Sequence, residues 1–200
     1  AMDACRVRAL ETGALLVHAY DDQAVVAGQG LVGREMEGQL PDLDTVLVAV
    51  GGGIIQDIVS FLAAIVLRGV SWIFYPTTLL AQADSCIGSK SSINIGQYKN
   101  QLGTFTPPKN IFVSTGVLDT LEERDIRSGL GEIIKVHIIS GWEDTRVLAR
   151  EYSDLLHDRD TLSRYIRRSL EIKKTKIEID EFDQDERLVM NFGHSFGHAL

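Results

Sequence analysis

The sequence predicts an α/β protein, with a parallel-sheet unit over residues 1–118 followed by an all-helical unit over residues 119–200. Three observations lead there. Short, β-branched apolar runs alternate with segments of helical length, as parallel βα units require. The runs Thr45–Val50 and Val70–Tyr75 stop at chain-breaking residues, Gly51-Gly52-Gly53 and Pro76-Thr77-Thr78. After Ser114 no strand-like run recurs, and apolar residues fall at helical spacing instead.

Taken in order, Ala14–His18 reads as a strand and Gly28–Gln39 as a helix, with Pro41-Asp42 punctuating before the next strand. His18, alone among apolar neighbours, reads as a strand-end or surface histidine. Thr45–Val50, the glycines and Ile54–Leu67 read as strand, turn and helix. Val70–Tyr75 and Asn110–Ser114 are further buried-type strands. Between them, Ala83–Pro108 is rich in Ser, Gly, Asn and Lys and reads as a long loop, of the kind that is usually functional inside a compact domain. Glu122–Ser140 and Thr161–Ile179 have helical spacing. The change of texture near Thr115–Thr120 marks the boundary, and a crevice between two such halves is a favoured ligand site.

Composition narrows the function classes. Hydrophobic residues at 44% and charged residues at 24% argue against disorder, collagen and coiled coil. With 28 acidic against 20 basic side chains the net charge is -8, so no general nucleic-acid footprint is expected and an anionic ligand needs a local basic pocket. The longest apolar stretches, such as Ile58–Leu67, are too short for a bilayer span, and Ala1–Arg8 does not read as a signal peptide. Cys5 and Cys86 lie far apart without metal-ligand spacing, which reads as free thiols in a reducing cytoplasm.

Several positions carry chemistry. The triple glycine ends a strand and opens a helix, where backbone N–H groups and the helix dipole can hold a pyrophosphate, although such a turn can also be merely tight. Asp57 suits a helix N-terminus for either reason. Thr77 and Thr78 follow the next strand in the same way, so both turns line the carboxyl edge of the sheet. Asp84, Ser85, Lys90, Lys99 and Asn100 crowd the polar segment, and lysines concentrated there in an acidic protein suit anion capture or simple solvation. Glu132 and Lys135 share a helix face, ordinarily a surface ion pair. His194 and His198 in NFGHSFGH are also spaced to share a face. With a distant glutamate they suit Zn²⁺, though either histidine can serve as acid or base instead.

GGGIIQD, LRG, PTTLLAQADS, GSK, INIGQYKN, LDTL, GEIIK and NFGHSFGHA, in this order and spacing, resemble 3-dehydroquinate synthase and its relatives among the sugar phosphate cyclases over Gly51–Leu200. The resemblance implies a Rossmann-like nucleotide-binding domain and a helical metal- and substrate-binding domain. It also implies conversion of 3-deoxy-D-arabino-heptulosonate 7-phosphate into 3-dehydroquinate and phosphate, with NAD+ reduced and re-oxidised within one turnover and Zn²⁺ or Co²⁺ as the metal. By motif, Gly52, Gly53, Ile54, Ile55, Gln56 and Asp57 would hold the NAD+ pyrophosphate. Thr77, Thr78, Asp84, Lys90, Lys99, Val117, Leu118, Asp119 and Thr120 would complete the cofactor site. Lys90, Asn100, Lys135, Lys173, Arg187 and Asn191 would hold the substrate, Glu132 and His194 the metal, and His198 would aid proton transfer. Arg68 matches an arginine that reaches the phosphate in a neighbouring subunit, which implies a homodimer.

Three departures accompany the match. Gly88-Ser89-Lys90 stands where Gly-Gly-Lys is usual, which leaves another carbocycle open, for instance that of a 2-deoxy-scyllo-inosose synthase. The family's third zinc ligand would lie beyond Leu200, so the expectation is a weak or incomplete metal site, or a non-catalytic NAD-binding fragment. Residues 3–53 resemble instead a segment of the pyridoxal-phosphate-dependent threonine or serine dehydratases, which predicts a join within the glycines, the alternative being an unusually diverged front end. An iron-dependent alcohol dehydrogenase would share the two-domain plan but lack the lysine cluster around Glu132.

Overall fold

The computed structural model describes residues 47–193. The strand Ala14–His18, the helix Gly28–Gln39, Cys5, His18, His194 and His198 lie outside the described residues.

Strand β1, Leu47–Gly51, is followed through Gly52 by helix α1, Gly53–Ile65, and strand β2, Trp72–Pro76, returns parallel to β1. Leu47 pairs with Trp72 and Gly51 with Pro76, so both strands run out at the same edge of the sheet. The short strand β5, Asn110–Ile111, adds to the other side of β2, also parallel. The sequence expectation for this βαβ unit holds, with strand ends moved by one or two residues. α1 leaves through a 3-10 turn, Val66–Arg68, where Leu67 and Arg68 take left-handed backbone (φ 50° and 68°). Such conformations are uncommon for residues with a Cβ and mark a tight, specified reversal.

The long polar loop expected over Ala83–Pro108 is not a loop. It opens with a π-helical turn, Ala81–Ser85, closed by Cys86 N–H donating to Ala81 O at 2.9 Å, and continues as an antiparallel hairpin of β3, Lys90–Ile95, and β4, Tyr98–Phe105. The hairpin is fastened to α1 by Asp57, whose Oδ1 accepts the Ser92 N–H at 3.0 Å. Half-burial raises the Asp57 carboxyl above its ordinary pKa, partly countered by that hydrogen bond.

Beyond a 3-10 segment, Thr115–Thr120, the described chain is helical: α2, Glu123–Ser140; α3, Trp142–Glu151; and α4, Arg159–Ile179. Asp158 starts α4 by accepting the N–H groups of Asp160 and Thr161, a carboxylate N-cap. Helix α3 is additional to the helices the spacing predicted. Three apolar clusters form the core, the smallest being Val136, Ile172 and Met190. Ala49, Ala63, Trp72, Phe74 and Ala81 bind α1 to the sheet, while Leu79, Leu130, Ile133, Leu148 and Ile166 bind α2, α3 and α4 to the turn after β2. Each large side chain buried there contributes about 1.5–3 kcal/mol. Among the described residues no helix is long and apolar enough to cross a membrane.

Candidate functional site

The edge where β1 and β2 end carries two loops held against each other. Thr77 N–H donates to Gly51 O at 2.9 Å, and a Cβ on Gly52 would stand 2.9 Å from Thr78 Cγ2, so this approach requires glycine. Helix α1 begins at Gly53 with no side-chain cap, and its first intrahelical N–H bond runs from Gln56 to Gly52 O at 3.1 Å. The N–H groups of Gly53, Ile54 and Ile55 precede that bond and form the positive end of the helix dipole. The Cβ-free turn and uncapped N-terminus suit a dinucleotide pyrophosphate. Beside them lies a cleft of about 260 Å³ lined by Val50, Tyr75, Pro76, Thr77, Phe112, Ser114 and Val117, in which Tyr75 and Phe112 stack at 4.9 Å. Its apolar walls suit a planar ring.

Thr78 uses its hydroxyl oxygen to accept the Ala81 N–H at 3.2 Å, starting the π-turn. The expected cofactor residues Val117, Leu118, Asp119 and Thr120 lie in the 3-10 segment. Val117 faces the cleft, Leu118 is packed into the core, Asp119 pairs with Arg159, and Thr120 Oγ1 donates to Val117 O at 3.0 Å.

The segment Asp84–Lys90 gathers three of the expected cations, Lys90, Lys173 and Arg187. Lys173, buried on α4, donates to Asp84 O at 2.6 Å and pairs with Asp84 Oδ1 at 3.0 Å. Lys90 pairs with Asp183 Oδ2 at 2.6 Å, across 93 residues of sequence. Arg187 is buried, donates to Glu181 O at 2.6 Å, and lies close to Gly88, where a Cβ would come within 3.1 Å of Nη2. The backbone around Arg187 is organised by Asp180, whose carboxylate accepts the N–H groups of Gln184, Asp185 and Arg187. Those bonds hold the Asp180 carboxyl below the ordinary range.

On α2, Glu132 and Lys135 form a nearly buried ion pair, with side chains 13% and 14% exposed. This is not the surface pair that spacing ordinarily gives. Glu132 Oε1 is buried and has no hydrogen-bond partner beyond that ion pair. A largely buried carboxylate whose only partner is the Lys135 ammonium has the chemistry of a metal ligand. Among the described residues no group of three or more His, Cys, Asp or Glu could hold a metal. His194, the other expected ligand, lies outside them.

Four expected residues stand apart. Lys99 and Asn100 are exposed on β4, where Asn100 has φ 56° and its N–H donates to Asn94 Oδ1 at 2.9 Å. Asn191 is exposed at the end of a 3-10 segment, Glu186–Asn191. Arg68 is exposed on the turn after α1. Sequence reasoning missed Asp183 and Asp180, which place Lys90 and Arg187; nothing in local spacing links Asp183 to a lysine so far upstream.

The 3-dehydroquinate synthase N-terminal family model matches residues 28–128 and the C-terminal family model residues 129–200. The chain is 41% identical over 170 residues to 3-dehydroquinate synthase of Dictyoglomus turgidum, covering 84% of this chain and 48% of that protein. With the same enzyme of Solibacter usitatus it shares 39% over 181 residues, 90% of this chain and 51% of that protein. The chain thus spans about half the length of the curated relatives it matches. Two solved structures share the fold. One is 2-epi-5-epi-valiolone synthase from Streptomyces hygroscopicus with NAD+ and Zn²⁺ bound, at a TM-score of 0.70 and 28% identity over 90% of this chain and 51% of that one. The other is a 2-deoxy-scyllo-inosose synthase complexed with carbaglucose-6-phosphate, NAD+ and Co²⁺, at 0.67 and 26% over 92% and 50%. The dehydratase resemblance of residues 3–53 is unsupported, because the family match already covers the chain from residue 28, well before the glycines where a join was expected. From residue 28 to its last residue, the chain belongs to the 3-dehydroquinate synthase family.

Proposed function

We propose that this chain supplies the nucleotide site and much of the substrate site of a 3-dehydroquinate synthase, a phosphate-eliminating lyase that converts 3-deoxy-D-arabino-heptulosonate 7-phosphate into 3-dehydroquinate. The observation that carries the proposal is the gathering of Lys90, Lys173 and Arg187 on the segment Asp84–Lys90 of an acidic protein, with that segment hydrogen-bonded through Ser85 to the helix opened by the triple glycine. Bound NAD+ supplies a hydride acceptor and donor, and a bound divalent metal supplies a Lewis acid for the substrate hydroxyl. The chain's own groups bind and neutralise. Gly52, the N–H groups of Gly53, Ile54 and Ile55, and Thr77 receive the cofactor, with Thr78, Asp84 and Val117–Thr120 shaping its surroundings. Lys90, Lys135, Lys173, Arg187, Asn100 and Asn191 receive the substrate's carboxylate, hydroxyls and phosphate. Glu132 and His194 would hold the metal, and His198 would pass a proton. Three of these cations already rest on carboxylates (Lys90 on Asp183, Lys135 on Glu132, Lys173 on Asp84), so their positions are fixed before an anion arrives. Preorganised charge of this kind costs no reorganisation during reaction.

The proposed assembly is a homodimer in the cytoplasm in which Arg68, exposed on a left-handed turn, reaches the partner's phosphate site. A second reading, another sugar phosphate cyclase, is favoured by Ser89. Its hydroxyl is buried without a hydrogen-bond partner, where the family usually has glycine, and it would meet a differently shaped substrate. The test is inorganic-phosphate release with NAD+ and Zn²⁺ from the heptulosonate phosphate and, separately, from glucose 6-phosphate. Preference for the former supports the synthase; preference for the latter selects the second reading, and release from neither overturns both.

A further inference from the structure

We infer that Gln56 and Ser85 form a clasp that fixes the cofactor-binding turn against the substrate-binding cations, and that Gln56 acts by positioning, without its side chain touching the cofactor. The inference rests on the proposed function and deepens it. Gln56 ends the first turn of α1 with its backbone N–H already given to Gly52 O at 3.1 Å. Its side chain is buried at 5% exposure and committed in both directions: Nε2 donates to Ser85 O at 2.5 Å, and Oε1 accepts from Ser85 Oγ at 2.8 Å. Ser85 closes the π-turn, and Asp84 beside it receives the Lys173 ammonium on both its carbonyl and its carboxylate. An unbroken run of hydrogen bonds and one peptide link therefore joins the N-terminus of α1 to a buried cation of α4.

The geometry explains why the turn is π-helical. Its i to i+5 bond, Cys86 N–H to Ala81 O, inserts one more residue than an α-turn holds, which re-aims the side chains at its end. Here the residues at that end are Asp84 and Ser85, one facing Lys173 and the other Gln56. A residue with a shorter or apolar side chain at position 56 leaves Ser85 O and Oγ without these partners. It also removes the side-chain tie between the helix that the glycine turn opens and the residue beside Asp84. Displacements of about 1 Å at a binding constellation are enough to matter.

The test is NAD+ binding, measured by calorimetry on wild type, Gln56→Ala, Ser85→Ala and the double variant, with thermal stability followed in parallel. Gln56→Ala removes both bonds, whereas Ser85→Ala removes only the one from Oγ, because the Ser85 carbonyl still accepts from Gln56; NAD+ binding is therefore expected to weaken by about tenfold in Gln56→Ala, by less in Ser85→Ala, and in the double variant by no more than in Gln56→Ala alone. Ser85→Thr keeps the hydroxyl and is expected to keep wild-type affinity, which separates loss of the clasp from loss of fold. Weakening by Gln56→Ala with Ser85→Ala silent would show direct contact with the cofactor and overturn the inference. Additive effects overturn it too, as does lowered thermal stability at unchanged affinity. A wild-type chain that binds no NAD+ overturns the proposed function itself, and the clasp's role with it.

Discussion

Lys173 shows how much one residue can be asked to do. It is buried, and its single charge is shared between the carbonyl and carboxylate of Asp84 while standing where a substrate anion is proposed to arrive. Lys173→Met strands the Asp84 carboxylate, whose side chain is 21% exposed and keeps some water. The expected cost is about 2 kcal/mol of stability, below that of a fully buried pair, read from denaturant unfolding. The same change should raise KM for the sugar phosphate far more than it raises the Kd for NAD+; equal losses would place Lys173 in the cofactor site. By contrast Arg127 and Glu123 pair on the exposed side of α2, and Arg127→Ala should leave stability unchanged. Glu132→Gln removes the oxygen charge that fits a metal and should abolish zinc uptake and phosphate release with the fold intact. Full turnover in Glu132→Gln would sink the metal assignment. His198→Ala should impair turnover more than zinc uptake, and equal zinc loss in the His194 and His198 variants would show the ligands wrongly assigned.

Among the elements, α2 carries the tightest constraint. A Cβ on Gly129 would come within 2.5 Å of Leu79 Cγ and 2.7 Å of the Leu80 backbone nitrogen. Gly129→Ala should therefore destabilise by about 2 kcal/mol despite alanine's better helix propensity, since overpacking outweighs it. Two turns further on, His137 is buried with Nδ1 on Ile133 O at 2.8 Å, so Nδ1 carries the proton. Burial holds its pKa below the ordinary histidine value. An unfolded chain then binds a proton before the folded one does. This contribution to stability is present above the unfolded pKa of about 6.5 and is lost as pH falls through the lower folded value. His137→Phe should flatten the fall of Tm on acidification below neutrality; an unchanged slope would assign that fall to other groups. Such elements were legible to different degrees. α1, α2 and α4 have long apolar periods, and β1 and β2 are short apolar runs ended by glycine or proline. The hairpin β3–β4 was read as loop because its Ser, Asn, Gly and Lys residues give no apolar alternation, β4 being largely solvated and β3 half so. Helix α3 is ten residues long and mostly polar, with Leu148 alone buried, too little of a stripe to see.

At the scale of the molecule, the residues of the proposed site were legible because they lie in motifs, while the pairing between motifs was not. The sequence names Lys90, Lys173 and Asp84; only the fold shows that Asp183 takes Lys90 and Asp84 takes Lys173. If Arg68 serves a neighbouring subunit, sedimentation should find a dimer, and Arg68→Ala should weaken sugar-phosphate binding by roughly tenfold without dissociating it, as for loss of one charged contact. A monomer of undiminished activity would contradict that. The central claim is a cofactor that ends each turnover as it began, and it is tested by the ratio of phosphate released to NAD+ supplied, with Zn²⁺ present and NAD+ held well below the concentration of 3-deoxy-D-arabino-heptulosonate 7-phosphate. The account predicts many phosphates per NAD+, no net reduced nicotinamide, and arrest by a chelator. Release that stops at one per NAD+ with reduced nicotinamide accumulating, or no release from the folded chain, would contradict it.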